Sequence, residues 1–118
     1  HCCPPEAPDY ARTRAVLDSF STGILFRVHH WNATAMAAEG ARQLFLDGYY
    51  KALAFGSGPC KLCPSCAPEG CRFPGKAVPA MEACGIDVFA TARAHGLEVR
   101  TLRVLGEERN HFGLILVE

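Results

Sequence analysis

Four cysteines between Cys60 and Cys71, spaced C-x2-C-x2-C-x4-C and led in by Gly56, Gly58 and Pro59, constrain this chain more than any other feature. Each two-residue gap must turn the backbone back on itself, so neither a helix nor a strand can present Cys60, Cys63 and Cys66 together. The stretch is therefore a loop closed around something. Thiolates are the preferred ligands of iron–sulfur clusters and of zinc, and a short loop dense in Gly and Pro can wrap one inorganic centre.

Spacing points to which centre. A structural zinc site separates its two C-x2-C knuckles by about a dozen residues or more, so that two hairpins converge on one ion. Here only Pro64 and Ser65 separate Cys63 from Cys66. Successive x2 intervals match the bacterial ferredoxin run, in which one loop supplies three corners of a [4Fe–4S] cubane. The fourth ligand departs from that run: Cys71 follows after x4, and the proline comes at Pro74. Cys71 is the leading fourth ligand, with Cys3 and Cys84 as rivals, and zinc bound by the same loop is the alternative to the cluster. A [4Fe–4S]2+ core with four thiolates carries about −2, which Lys61, Arg72 and Lys76 could offset.

A disulfide knot fits poorly. The cysteines number seven, which is odd, and thiols two residues apart bridge only with strain. No charged and apolar leader of the secretory kind is evident, so reduced thiolates in a cytoplasm are expected. The formal net charge is zero, which removes the electrostatic case for nucleic acid as a partner. No apolar run is long enough to span a bilayer, and the length of 118 residues suits one cysteine-rich domain, 1–118. The opening His1-Cys2-Cys3-Pro4-Pro5 reads as the later part of a longer or processed chain, which leaves the role of Cys2 and Cys3 open.

Along the chain, 9–20 reads as a helix capped by Asp9, and 23–30 as a strand covered on both faces. The His29-His30-Trp31 that follows reads as a polar strand end with a packing indole. A second helix runs from Asn32 or Thr34 to about Gly48, and a second strand, 49–55, delivers the chain to the cysteine loop, with Tyr49 and Tyr50 as ordinary aromatic core. Gly56 and Gly58 are expected to bring N–H groups toward sulfur. A third helix, 80–95, carries Met81, Cys84, Val88, Phe89 and Ala92 on one apolar stripe, which favours Cys84 as core over Cys84 as ligand. Gly96 ends that helix, and two closely joined strands, 97–105 and 111–118, finish the chain. The order predicts an α+β fold: a two-layer sandwich with a mixed sheet of about four strands, helices mainly on one face, and the cysteine loop near a sheet edge.

The segments Ala54-Phe55-Gly56-Ser57-Gly58-Pro59-Cys60-Lys61-Leu62-Cys63-Pro64-Ser65-Cys66, Cys71-Arg72-Phe73-Pro74 and Met81-Glu82-Ala83-Cys84-Gly85-Ile86-Asp87, with Cys3-Pro4-Pro5 ahead of them, resemble a family of short cysteine-rich, predicted metal-binding proteins frequent in anaerobes. The resemblance runs from Cys3 to about the end of the chain. It implies metal or iron–sulfur binding by Cys60, Cys63, Cys66 and Cys71, and no particular reaction. Members usually carry a further cysteine pair upstream of Cys-Pro-Pro that with Cys3 could serve a second site, and they do not require the cysteine at Cys84.

The expected function is that of an iron–sulfur protein passing single electrons to a redox partner protein, or sensing redox state; the alternative is a structural zinc module holding an interaction surface. Glu82, Asp87, His95 and the His29-His30 pair are available acids and bases, but none forms a recognisable catalytic constellation, so catalysis by this chain alone is the weaker reading. Oligomeric state is left open.

Overall fold

The structure, a computed structural model, describes residues 2–28, 33–97 and 111–118. Helix α1 (Tyr10–Asp18) starts where the Asp9 carboxylate accepts the Arg12 N–H at 2.8 Å, as the cap position predicts. Strand β1 (Gly23–Val28) leads toward helix α2 (Ala33–Leu46), and strand β2 (Leu53–Phe55) follows. Beyond the cysteine loop come a 3₁₀ turn (Glu82–Cys84), helix α3 (Val88–Ala94) and strand β3 (His111–Leu116). No helix among the described residues is long and apolar enough to cross a membrane.

The strands pair antiparallel in the order β1-β3-β2, with β3 central. Its apolar residues serve two cores. Phe112 and Leu116 join Phe55, Met81, Cys84 and Ala92, against which Val16 and Leu17 of α1 and Val88 of α3 pack. Ile115 points the other way, to Ala54 and to Ala37 on α2. Full burial of a side chain such as Phe112 contributes about 1.5–3 kcal/mol. On the α2 side the Phe26 ring lies over Gly113, directly opposite it in the ladder, and a Cβ at that position would stand well inside contact distance of the ring.

The α+β class agrees with the expectation, but the layering does not. Helices lie on both faces of the sheet instead of mainly one, because a central strand apolar on both sides must be covered on both. The described strand pairs are all antiparallel, and the parallel element is an isolated bridge from Gly56 to Ala80. The expected fourth strand, 97–105, and the loop after it fall almost wholly outside the described residues, as do His29, His30 and Trp31.

Two elements are shorter than their patterns suggest. The expected 80–95 helix is interrupted at Gly85 (φ +85°), and Asp87 restarts it by accepting the Ala90 N–H at 3.0 Å. The expected 49–55 strand keeps only its last three residues, since Gly48 (φ +104°) closes α2 with the Tyr49 N–H on the Leu44 carbonyl at 2.9 Å. Gly96 (φ +77°) closes α3 the same way, with the Leu97 N–H on the Ala92 carbonyl at 2.9 Å. Tyr49 and Tyr50 consequently sit outside the core: Tyr50 is 76% exposed and meets Phe45 edge to face at 5.3 Å.

Candidate metal centre

Strand β2, at one edge of the described sheet, aims the cysteine loop, and three separate elements hold its first residues. Gly56 donates its N–H to the Pro79 carbonyl at 2.9 Å and accepts from the Met81 N–H at 3.2 Å, which ties β2 to the segment returning from the loop. Thr34, in the first turn of α2, accepts the Ser57 N–H at 3.0 Å and donates to the Ser57 carbonyl at 3.0 Å. The Thr34 side chain packs so closely on the Gly56 backbone that a Cβ on Gly56 would lie 2.5 Å from Thr34 Oγ1. Glu82, at the 3₁₀ turn, accepts the Gly58 N–H at 2.8 Å. The N–H groups of Gly56 and Gly58 are thus committed to Pro79 and Glu82, not to sulfur as the sequence suggested. Their contribution is to fix where the loop departs.

From Pro59 to Arg72 the chain forms neither helix nor strand. Arg72 reaches back to donate to the Ser65 carbonyl at 3.1 Å, so it ties the two halves of the loop as well as bringing positive charge. The N-terminal segment folds against the loop. Its turn is held by Glu6 and Ala7, whose N–H groups donate to the Cys3 carbonyl at 2.9 and 3.0 Å.

Between the two segments lies a cavity of about 280 Å3 lined by Cys2, Cys3, Cys60, Cys63, Cys66 and Cys71, with Arg72 and Glu6 also on its wall. Cys60 and Cys66 are exposed, while Cys2, Cys3, Cys63 and Cys71 are half-buried. All four cysteines of the loop motif, and Cys3, therefore face one space. Cys2, to which the sequence assigned no role, joins them; the rigid Pro4-Pro5 step after Cys3 was the one hint that this segment is held in place. Among the described residues no group of three or more His, Cys, Asp or Glu side chains is drawn together tightly enough to hold an ion.

The Cys2 thiol is pushed up from 9.0 to about 12, first by burial and then by the neighbouring Cys60 and Cys3, through both their charge and their hydrogen bonds. Crowded thiols resist ionising together, whereas a bound cation reverses that preference and draws the protons off. Cys84 does not line the cavity. It is 1% exposed in the core beside Met81, where burial raises its thiol pKa above the usual value and the nearby Thr13 hydroxyl partly offsets the effect. That hydroxyl is close enough to act on the thiol yet meets no full hydrogen-bond geometry, which leaves Thr13 Oγ1 a buried side-chain polar atom without a partner.

The donor set is chemically suited to a thiophilic centre. Thiolates select zinc, cuprous ions and iron–sulfur clusters, and here they surround a space with basic Arg72 beside it. Fold and site thus define a small α+β protein with a cysteine-lined cavity outside the sheet edge, whose donor set suits a metal. The chain belongs to the DUF2284 family, described as predicted metal-binding proteins, whose family model matches residues 1–117. No curated protein and no solved structure matches the chain.

Proposed function

We propose that Cys60, Cys63, Cys66 and Cys71 hold a [4Fe–4S] cluster, and that the protein exchanges single electrons with a redox partner protein or responds to redox state through that cluster. The observation that carries the reading is the one cavity shared by the four loop thiols. The x2, x2 spacing supports it, since it suits a cluster presented by one contiguous loop. When bound, such a cluster supplies one-electron chemistry. The chain's own residues position and tune it: Arg72 pins the loop through Ser65, Thr34 and Glu82 fix its departure, and exposed Cys60 and Cys66 place the centre where a partner can approach. Leu62 and Phe73, 42% and 40% exposed, form an apolar rim on the same cavity for that partner to cover.

The test is iron, zinc and acid-labile sulfide analysis, with an ultraviolet–visible spectrum, on protein purified without oxygen. The reading predicts about four iron and four sulfide per chain and a broad brown absorbance that bleaches on reduction. About one zinc per chain with no colour would overturn it and leave the loop as a structural clasp.

A further inference from the structure

A cubane needs four thiolates, and Cys2 and Cys3 are surplus to the four assigned above. Their placement is specific. Cys2, Cys3 and Cys60 line the 280 Å3 cavity and also a second one, of about 290 Å3, that opens toward Glu82 and Ala80. The three thiols therefore form the partition between two open spaces, Cys60 exposed on it and Cys2 half-buried. Cys60 is held from its N-terminal side, through the bonds of Ser57 and Gly58 to Thr34 and Glu82. Cys2 precedes a turn closed on the Cys3 carbonyl within the N-terminal segment. The Cys2 and Cys60 thiols, from two separate segments, thus share the walls of both cavities, and neither is in a disulfide.

We propose that Cys2 and Cys60 form a disulfide in the metal-free protein on exposure to a low-molecular-weight disulfide, and that this bridge withdraws Cys60 from the metal site. The exposed Cys60 thiolate attacks one sulfur of the reagent and displaces its first thiolate, giving a mixed disulfide. The Cys2 sulfur then attacks the Cys60 sulfur, and the Cys2 proton leaves with the second reagent thiol. Two protein thiols are oxidised and one reagent disulfide is reduced to two thiols. Cys2 is in this account a resolving thiol, not a metal ligand. The bridge fastens the N-terminal segment to the loop and removes one of four ligands, so metal occupancy protects Cys60 and metal loss exposes it to capture.

That the bridge blocks cluster uptake rests on the proposed role of Cys60; that it forms does not. The experiment uses the full chain, stripped of metal by chelation without oxygen, treated with oxidised glutathione, alkylated, and mapped by mass spectrometry after non-reducing digestion. The expected result is a predominant Cys2–Cys60 linkage, loss of iron and sulfide uptake until a reductant is added, and accumulation of the unresolved glutathione mixed disulfide at Cys60 after the same treatment in Cys2→Ser. A map dominated by Cys2–Cys3 or by pairs within 60–71, or a Cys2→Ser protein that carries no glutathione at Cys60, would overturn the proposal. The two readings separate cleanly: a Cys2–Cys60 bridge in a protein that takes up only zinc sustains the bridge and sinks the cluster. Full iron and sulfide uptake without the bridge does the reverse.

Discussion

The approach to the loop and the loop itself are built on opposite principles. Over 56–58, backbone and side-chain hydrogen bonds reach two distant segments, at Thr34 and at 79–82, before the first cysteine of the loop appears. From Pro59 to Arg72 there is no regular structure, and the thiols stand around a space. The fold determines where the loop begins, and under the proposed function the bound centre determines the shape of its interior, because no ladder of backbone bonds is present to do so.

That contrast can be broken most severely at the thiols. Cys63→Ser or Cys66→Ser is expected to abolish cluster binding while leaving the sheet intact. Hydrogen–deuterium exchange should show lost protection across 59–77 and unchanged protection in β3; collapse of β3 protection would mean that the two regions are not separable.

The converse test falls on the sheet. Gly113→Ala forces the Phe26 ring aside and is expected to cost about 1–3 kcal/mol, equally with and without metal, in denaturant unfolding of each form. A loss seen only in the loaded protein would contradict the assignment of Gly113 to the core.

Thr34→Val sits at the junction and should report on both regions. It keeps the shape but removes both bonds to Ser57, for an expected loss of about 1 kcal/mol together with weaker metal retention against a chelator. Glu82→Gln, which retains an acceptor for the Gly58 N–H, should do less on both measures.

The smallest expected effect is on pH dependence. Burial raises the Cys84 thiol pKa above 9.0 in the folded state, so the unfolded chain ionises there first. Its contribution to stability is complete below about pH 9 and is lost as pH rises beyond it. In metal-free protein, Cys84→Ala should show a shallower fall in stability above that pH than wild type does, and an unchanged slope would remove Cys84 as its source.

The sequence made the local elements and the thiol loop legible for different reasons. Asp9 and Gly96 act through contacts within a few residues, so a cap or terminator could be read directly, whereas the Asp87 cap inside the expected 80–95 helix was not read. That Cys60 to Cys71 gather around one space was legible because their spacing is itself a short-range property. Pairings across the chain were not. Nothing in the pattern shows that Thr34 grips Ser57, that Glu82 takes the Gly58 N–H, or that Cys2 shares a cavity with Cys60, since each depends on how distant segments pack. The two-sided covering of the sheet was foreshadowed in the apolar, poorly alternating 23–28 segment, but which helix lies on which face follows only from the β1-β3-β2 order.

The most direct test of the account is X-ray absorption at the iron and zinc edges on wild-type protein prepared without oxygen. A [4Fe–4S] centre held by the four loop cysteines predicts an iron edge with a sulfur shell and a second, iron–iron shell, both lost in Cys63→Ser. A zinc edge with sulfur neighbours alone at about 2.3 Å would contradict it and make the cavity a clasp around one ion.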